Sequence, residues 1–214
     1  MSGNKNKIAL RTIFIGICGF FFILSSSIFI TLNSIWLYRL FVATLNLNET
    51  VNLTVKGLMN EYHRIILYLE LPWIHRLETT LPMSNRALMH FKDVKNLVIF
   101  NNGVLIFSLS SLIVINSRNN YFIEWWKYLR ALRWNVLGML LVVVLGSVNF
   151  NQTFIFFHRI FFHNDNWLFN PTFDPIINAL PESFFAACFV EFVIVYMIMN
   201  LIVYVYVKKY KCKL

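Results

Sequence analysis

Four long apolar runs divide the chain, and polar or mixed segments separate each run from the next. A helix needs about 20 apolar residues to cross the core of a bilayer. We therefore predict four membrane-spanning helices, over residues 12–37, 97–115, 134–148 and 184–207. The pattern predicts an all-α membrane protein that forms a single membrane domain over residues 1–214.

The first run could also be the apolar part of a secretory signal peptide, because Lys5, Lys7 and Arg11 precede it. The run is longer than such a segment, and no cleavage site with small residues follows it cleanly. A lipoprotein signal is also disfavoured, since it would have a small residue where Ile17 precedes Cys18. We therefore interpret the first run as a span.

Composition agrees with a membrane protein. Hydrophobic residues make up 58% of the chain and charged residues only 14%, whereas an average soluble domain is roughly a quarter charged. A net charge of +9 would suggest a nucleic-acid partner in a soluble protein. Here the basic residues concentrate in the two tails and in the loop between spans two and three, so we expect no nucleic-acid partner.

Charge also predicts the orientation. The two longer connecting segments, 38–96 and 149–183, carry no net charge between them. By the positive-inside rule, both termini and the middle loop lie in the cytoplasm. Segments 38–96 and 149–183 then form an extracellular cap of helices and loops. Within the middle loop, residues 122–133 are predicted to lie along the membrane interface, with Trp125 and Trp126 at headgroup depth.

The first outer segment contains two predicted helices. Residues 55–69 place their apolar residues on one face at helical spacing: Leu58, Tyr62, Ile65, Ile66 and Leu69. A second helix begins near Ser84, a plausible N-cap, and continues into span two. It carries His90 and Asp93 on one face, where the carboxylate could fix the tautomer of the imidazole. The plainer interpretation is a helix-surface pair of modest energetic value.

The second outer segment is rich in phenylalanine yet contains histidines and carboxylates, and it is predicted to lie at the membrane surface. A helix around His158 should end at the polar run 164–166, and three prolines keep the following chain irregular. A histidine in such an aromatic segment is more often a structural hydrogen-bonding group than a catalyst. Glu191 within span four is a functional candidate by default, although it lies near the outer boundary.

Common catalytic and metal motifs are missing from the sequence. It has no HExxH, no CxxC, no Gly-rich phosphate loop and no GxSxG nucleophile elbow. If the protein is an enzyme, histidine and carboxylate chemistry must carry the reaction.

Two segments resemble motifs of one bacterial family. LPMSNRALMHFKDVKNL (81–97) is similar to a Ser-x-x-x-Leu-x-His-x-x-Asp-Val-Lys motif, and FFHRIFFHNDNWLFNPTFDPIINALPESFF (156–185) is similar to a second motif in the same order. The family is the lipoprotein intramolecular transacylases, called Lit. The resemblance extends over nearly the whole chain. His163 and Asn85 depart from the pattern, where the family tends to have Pro and an acidic residue.

The resemblance implies a reaction and its residues. The acyl chain at the sn-2 glyceryl position of a diacylglyceryl lipoprotein would move to the α-amino group of its N-terminal Cys, which yields a lyso-form lipoprotein and needs no cofactor or metal. The implied partners are the diacylated lipoprotein and membrane lipids, in the bacterial plasma membrane, with the active site outside. The implied catalytic acid–base pair is His90 and His158. Asp93 would orient His90, and four further residues would have supporting or structural roles: Asp165, Trp167, Asp174 and Glu182.

Two other functions remain open at the level of the residues. The aromatic cap of a non-enzymatic membrane protein could bind a partner, or water could replace the amine in a lipid ester hydrolase. The sequence does not distinguish the base from the acid, and it leaves the oligomeric state undetermined.

Overall fold

A computed structural model describes residues 2–117 and 124–210. Several predicted features lie outside these ranges, namely Phe122 of the interfacial segment and the basic residues Arg118, Lys211 and Lys213. Over the described ranges the regular structure is helical throughout. The helices are α1 (Ser2–Leu32), α2 (Ile35–Leu45), α3 (Leu47–Thr50), α4 (Val55–Glu70), α5 (Asn85–Ser117), α6 (Trp125–Val148), α7 (Phe150–Phe161), α8 (Ile176–Ala179) and α9 (Glu182–Tyr210).

Three helices of the described ranges are long and apolar enough to cross a membrane: α1 from Ile8 onward, α5 and α9. The exposed face of α9 is apolar from Val190 to Tyr206 and includes Ile194, Ile198 and Leu201. An extended apolar face of this kind is unfavourable in water and suits lipid. The predicted third span, 134–148, lies within α6 and stays a prediction.

The first predicted span, 12–37, extends beyond the end of α1, the helix that contains most of it. Helix α1 stops at Leu32, and the chain breaks at the polar pair Asn33 and Ser34 before α2 begins. The side-chain amide of Asn33 donates to the carboxylate of Glu70 at 2.9 Å. Residue 37, the predicted end of the first span, therefore lies inside α2, and the helix break precedes it.

The chain divides into two compact units. One comprises residues 1–30, 101–147 and 191–214, and the other comprises 31–100 and 148–190. The second unit contains every candidate site residue named from the sequence except Glu191.

The core of the second unit forms around α4. All five apolar residues predicted for one face of this helix are buried, which confirms the periodicity. The rings of Tyr38 and Tyr62 stack with centroids 3.9 Å apart, and Phe184 packs edge-on against both. The Tyr38 hydroxyl donates to the carbonyl of Ala179 at 3.0 Å, so its buried polar end is satisfied.

Side-chain caps fix where three helices of this unit begin. The Thr54 hydroxyl accepts from the N–H of Gly57, and the Asn149 side chain accepts from the N–H of Gln152. Ser84 Oγ accepts from the N–H of Ala87 at 3.2 Å. The predicted start of α5 at Ser84 is thus confirmed, and α5 continues without a break through residues 97–115.

Among the described residues of this unit, three charged side chains are buried, those of Glu61, Lys95 and Asp174, and each is hydrogen-bonded. Glu61 accepts from Arg64 and from the backbone N–H and hydroxyl of Thr80. The ammonium of Lys95 donates to three backbone carbonyls after or near the end of α4, those of Tyr68, Leu71 and Ile74, at 2.5–2.8 Å. These bonds offset the cost of removing each charge from water.

The first unit packs α1, α6 and α9 around an apolar cluster that includes Ile15, Ile23, Tyr128 and Tyr196. Gly19 allows Tyr128 to approach α1 closely. A Cβ at this position would clash with the hydroxyl oxygen of Tyr128. The glycine is therefore a packing requirement.

Candidate active site

Two histidines that are far apart in the sequence meet in the second unit. His90 lies in the second turn of α5 and His158 in the third turn of α7. Each is 8% exposed, and their ring centroids are 5.7 Å apart. The two imidazoles that the sequence singled out therefore form a buried pair.

The protonation state of His158 follows from its partner. Its Nδ1 lies 2.7 Å from the carbonyl oxygen of Phe154, one turn earlier on α7. A carbonyl oxygen can only accept, so Nδ1 carries the hydrogen of the neutral ring and donates it. Nε2 is then left with its lone pair, which is the state required of a base.

Aromatic rings enclose the pair. Phe162 contacts both histidines, at centroid distances of 4.7 Å from His90 and 5.6 Å from His158. His90 also packs against Phe169, and His158 packs against Phe154 and Trp167. Such an environment excludes water and keeps the imidazoles neutral.

Two buried polar atoms in this cluster have no hydrogen-bond partner among the described residues: Nδ1 of His90 and Nε1 of Trp167. Buried polar groups in native proteins are usually paired, and exceptions often occur at functional sites. Both atoms belong to rings that contact His158. Both atoms are therefore available to hydrogen-bond a polar group of a ligand.

Burial shifts both histidines toward the neutral form. His90 precedes the predicted span 97–115. Its burial and the neighbouring His158 lower the pKa of His90 to about 4, and the carboxylate of Asp93 opposes this shift. Burial also lowers the pKa of His158, while the bond to the Phe154 carbonyl opposes that change. Both rings are neutral near pH 7, so both are available to take up a proton.

Asp93 acts on His90 through its charge. Its carboxylate accepts a hydrogen bond from the side-chain amide of Asn164 at 3.1 Å, which links α5 to the turn after α7. The structure therefore shows a partner for Asp93 that the sequence did not suggest. The predicted orienting role of Asp93 stays a prediction.

The three other predicted carboxylates, those of Asp165, Asp174 and Glu182, differ in burial and in their hydrogen bonds. Asp174 is buried and accepts from the backbone N–H groups of Ser84 and Asn170. The Asp165 side chain is exposed, and its backbone carbonyl accepts from Arg86 at 2.6 Å. Glu182, also exposed, accepts from Asn151 at the start of α7. Of these three carboxylates, Asp174 has the environment of a structural anchor.

Sequence reasoning missed some of the groups that build this site. The Phe154 carbonyl is a backbone group, although the four-residue spacing from His158 on a helix could have indicated it. Phe162 and Phe169 belong to the aromatic segment for which the sequence predicts only a position at the membrane surface. Within the described residues, no cluster of three or more His, Cys, Asp or Glu side chains could hold a metal ion.

Comparison with known proteins decides the family. A family model described as lipoprotein intramolecular transacylase Lit matches residues 13–185. The chain belongs to the Lit family. It is accordingly an acyltransferase that acts on lipoproteins, as the two sequence motifs predicted, and the non-enzymatic interpretation is set aside.

Solved structures of Lit from Bacillus cereus share the fold. The membrane-integral enzyme is 24% identical and superposes with a TM-score of 0.86, over 98% of this chain and 100% of that one. Two variants with a histidine replaced by arginine or by alanine are 23% and 25% identical, with TM-scores of 0.78 and 0.75 and coverage of at least 96% of each chain. No curated protein sequence matches this Lit family chain significantly.

Proposed function

We propose that this Lit family protein moves the sn-2 acyl chain of a diacylglyceryl lipoprotein to the α-amino group of the N-terminal Cys, which leaves a lyso-form lipoprotein. The observation that carries the proposal is the buried pair of His90 and His158. An amine can attack an ester only when it is neutral, and an α-amino group is largely protonated near pH 7. Two neutral histidines supply the proton transfers that the reaction needs.

His158 is the general base in this mechanism. Its Nε2 lone pair accepts a proton from the amine as nitrogen bonds to the ester carbon. The imidazolium that results keeps its Nδ1–H bond to the Phe154 carbonyl, which stabilises the positive charge.

His90 is the general acid. It takes up one proton of the substrate ammonium and delivers it to the glyceryl oxygen as the carbon–oxygen bond breaks. Because burial lowers the pKa of His90 to about 4, its charged form is a strong proton donor. The ammonium loses two protons in all, one to the new glyceryl hydroxyl and one, through His158, to solvent. Acid–base catalysis of this kind contributes about 10²- to 10⁴-fold.

The aromatic enclosure positions the substrate. The ester that donates the acyl chain and the amine that accepts it belong to one substrate molecule. Confinement that brings these two groups together uses binding energy to raise the rate of acyl transfer. Asp93 holds α5 to the turn after α7 through Asn164, and Asp174 holds the start of α5 through Ser84. Asp165, Trp167 and Glu182 complete the residues assigned to this site, and no metal or cofactor is used.

The proposed topology has four spans, over 12–37, 97–115, 134–148 and 184–207, and the helix break at Asn33 and Ser34 lies within the first of them. Both termini lie in the cytoplasm, and segments 38–96 and 149–183 form the extracellular cap over the plasma membrane. The exposed apolar residues of α7 support placement at a membrane surface: Phe156, Phe157, Ile160 and Phe161.

Mass spectrometry of the N-terminal lipopeptide tests the reaction. Purified protein is incubated with a diacylated lipoprotein, and its N-terminal peptide is fragmented. Wild type should keep the total acyl mass while one acyl chain moves to the Cys nitrogen, and His90→Ala and His158→Ala should each abolish this transfer. His63→Ala is the matched control, since His63 is exposed on α4. Transfer that persists in both site variants would refute the histidine roles, and release of free fatty acid would indicate hydrolysis.

A further inference from the structure

Trp167 presents a hydrogen-bond donor that the fold does not use. Its indole Nε1 is buried and has no partner among the described residues. An indole N–H can only donate, so an acceptor on a bound molecule would satisfy it. A bound substrate offers such an acceptor, because the reacting ester carries a carbonyl oxygen.

This donor lies beside the proposed base. The rings of Trp167 and His158 have centroids 4.9 Å apart and are inclined by 33°. The Nε2 lone pair of His158 takes the proton of the attacking amine, so the ester carbon must sit close to the same ring. The indole N–H is therefore within the region where charge develops on the ester.

The turn that carries Trp167 is fixed by hydrogen bonds. The N–H of Asn166 donates to the Asn164 side chain, and the N–H of Leu168 donates to the carbonyl of Asp165. Arg86 of α5 donates to the same Asp165 carbonyl at 2.6 Å. A donor held in place before the substrate binds stabilises charge without reorganisation.

We infer that Trp167 is a catalytic residue whose Nε1–H donates to the carbonyl oxygen of the sn-2 ester and holds the oxyanion of the tetrahedral intermediate. This inference rests on the proposed function and adds an electrostatic group to it. His158 and His90 move protons, whereas Trp167 keeps its proton throughout.

The step balances without a further reactant. The amine nitrogen bonds to the ester carbon, and the carbonyl π electrons move to oxygen, where the indole N–H meets the negative charge. His158 removes a proton from nitrogen. The bond from carbon to the glyceryl oxygen then breaks, His90 protonates that oxygen, and the carbonyl re-forms as the amide.

Two changes at one position test the inference in the full-length protein. Trp167→Phe removes the N–H and keeps an aromatic ring. A variant with 3-benzothienylalanine at position 167 keeps the shape of indole, because sulfur replaces the N–H. Both should lower kcat by roughly 10²- to 10³-fold, the effect of losing one oxyanion donor, while KM stays near the wild-type value. Trp73→Phe is the control, since Trp73 is 68% exposed, and it should keep the wild-type rate.

The affinity for substrate analogues is a second measurement, and it distinguishes an oxyanion donor from a residue with a purely structural role. An sn-2 phosphonate carries an anionic oxygen at the position of the oxyanion, and an sn-2 ether has no carbonyl. Both Trp167 variants should bind the phosphonate more weakly than wild type does, by the same factor by which their kcat is lowered. Both should bind the ether with the wild-type affinity.

The outcomes separate this inference from the proposed function. Full kcat in the benzothienylalanine variant, together with an inactive His158→Ala, would overturn the role of Trp167 and leave the histidine mechanism intact. An active His158→Ala would overturn the histidine mechanism whatever the Trp167 variants do. Equal loss of affinity for both analogues would show that Trp167 only shapes the cavity, which also overturns the inference.

Discussion

The carboxylate of Asp174 accepts a hydrogen bond of 2.6 Å from the backbone N–H of Ser84. Ser84 caps α5, the helix that carries His90, and Asp174 follows the turn that carries Trp167. One buried side chain thus joins the two chain segments that supply the site.

Asp174→Asn should lower both stability and turnover. An amide offers one oxygen where the carboxylate accepts from the N–H groups of both Ser84 and Asn170, and losing a bond to a buried charged group costs about 1.5–3 kcal/mol. A shift of α5 would also misplace His90, so we expect kcat to fall by about 10- to 100-fold. Thermal unfolding in detergent and the lipopeptide assay measure the two effects. Asp165→Asn is the control and should unfold at the wild-type temperature, because the Asp165 side chain is exposed. An equal drop in the unfolding temperature of both variants would contradict the anchoring role of Asp174.

Lys95→Met should destabilise the protein. The change leaves the carbonyls of Tyr68, Leu71 and Ile74 without the ammonium that they share. We expect a loss of about 2 kcal/mol, or several degrees in the unfolding midpoint. Lys92→Met is the matched control, because Lys92 is exposed on the same helix. If Lys95→Met and Lys92→Met have the same unfolding midpoint, the three bonds of Lys95 contribute nothing to stability.

Acid should destabilise the wild-type protein through its histidine pair. The pKa of His90 is lowered to about 4, so as pH falls below the ordinary value of about 6.5 the unfolded chain binds a proton before the folded one does. The stabilisation is complete above pH 6.5 and is lost progressively toward pH 4. Unfolding midpoints at pH 7.5 and 5 should differ less for His90→Phe than for wild type. An identical pH dependence in both proteins would contradict the lowered pKa.

Asp93→Asn should reduce turnover only slightly. The amide oxygen can still accept from Asn164, and the change removes only the charge that raises the pKa of His90. A partly exposed charge contributes about 0.2–1 kcal/mol, so the rate should fall by less than about 6-fold. Initial rates of acyl transfer provide the measurement. A loss as large as that of His90→Ala would instead indicate that Asp93 bonds His90 directly in the substrate complex.

The sequence was sufficient for features that depend on local pattern. Helical spacing identified the buried face of α4, and the preference of serine for helix starts identified the beginning of α5. Three of the four predicted spans lie mostly on helices that are long and apolar enough to cross a membrane, and the span over 134–148 stays a prediction. The break at Asn33 was missed, because its bond to Glu70 joins positions far apart in the chain.

The site was predictable only in part for the same reason. Motif resemblance named His90 and His158, and the fold brings their rings together. It did not reveal that Phe154 contributes a carbonyl, because a motif of side chains does not describe backbone groups; only the four-residue spacing from His158 on a helix could have indicated it. Nor did it reveal that Lys95 is buried, because burial depends on which carbonyls the fold gathers around it.

The bond from His158 to the Phe154 carbonyl lies within a single helix, whereas the ring of His90 is held by contacts from other segments, through Phe162 and Phe169. The two histidines proposed as the catalytic pair therefore differ in how they are held. The proposed base, His158, keeps its tautomer as long as α7 remains helical, while the proposed acid, His90, depends on the packing of other segments around it. Mild loosening by detergent or heat should disable His90 first, so the enzyme should lose activity before its helices melt.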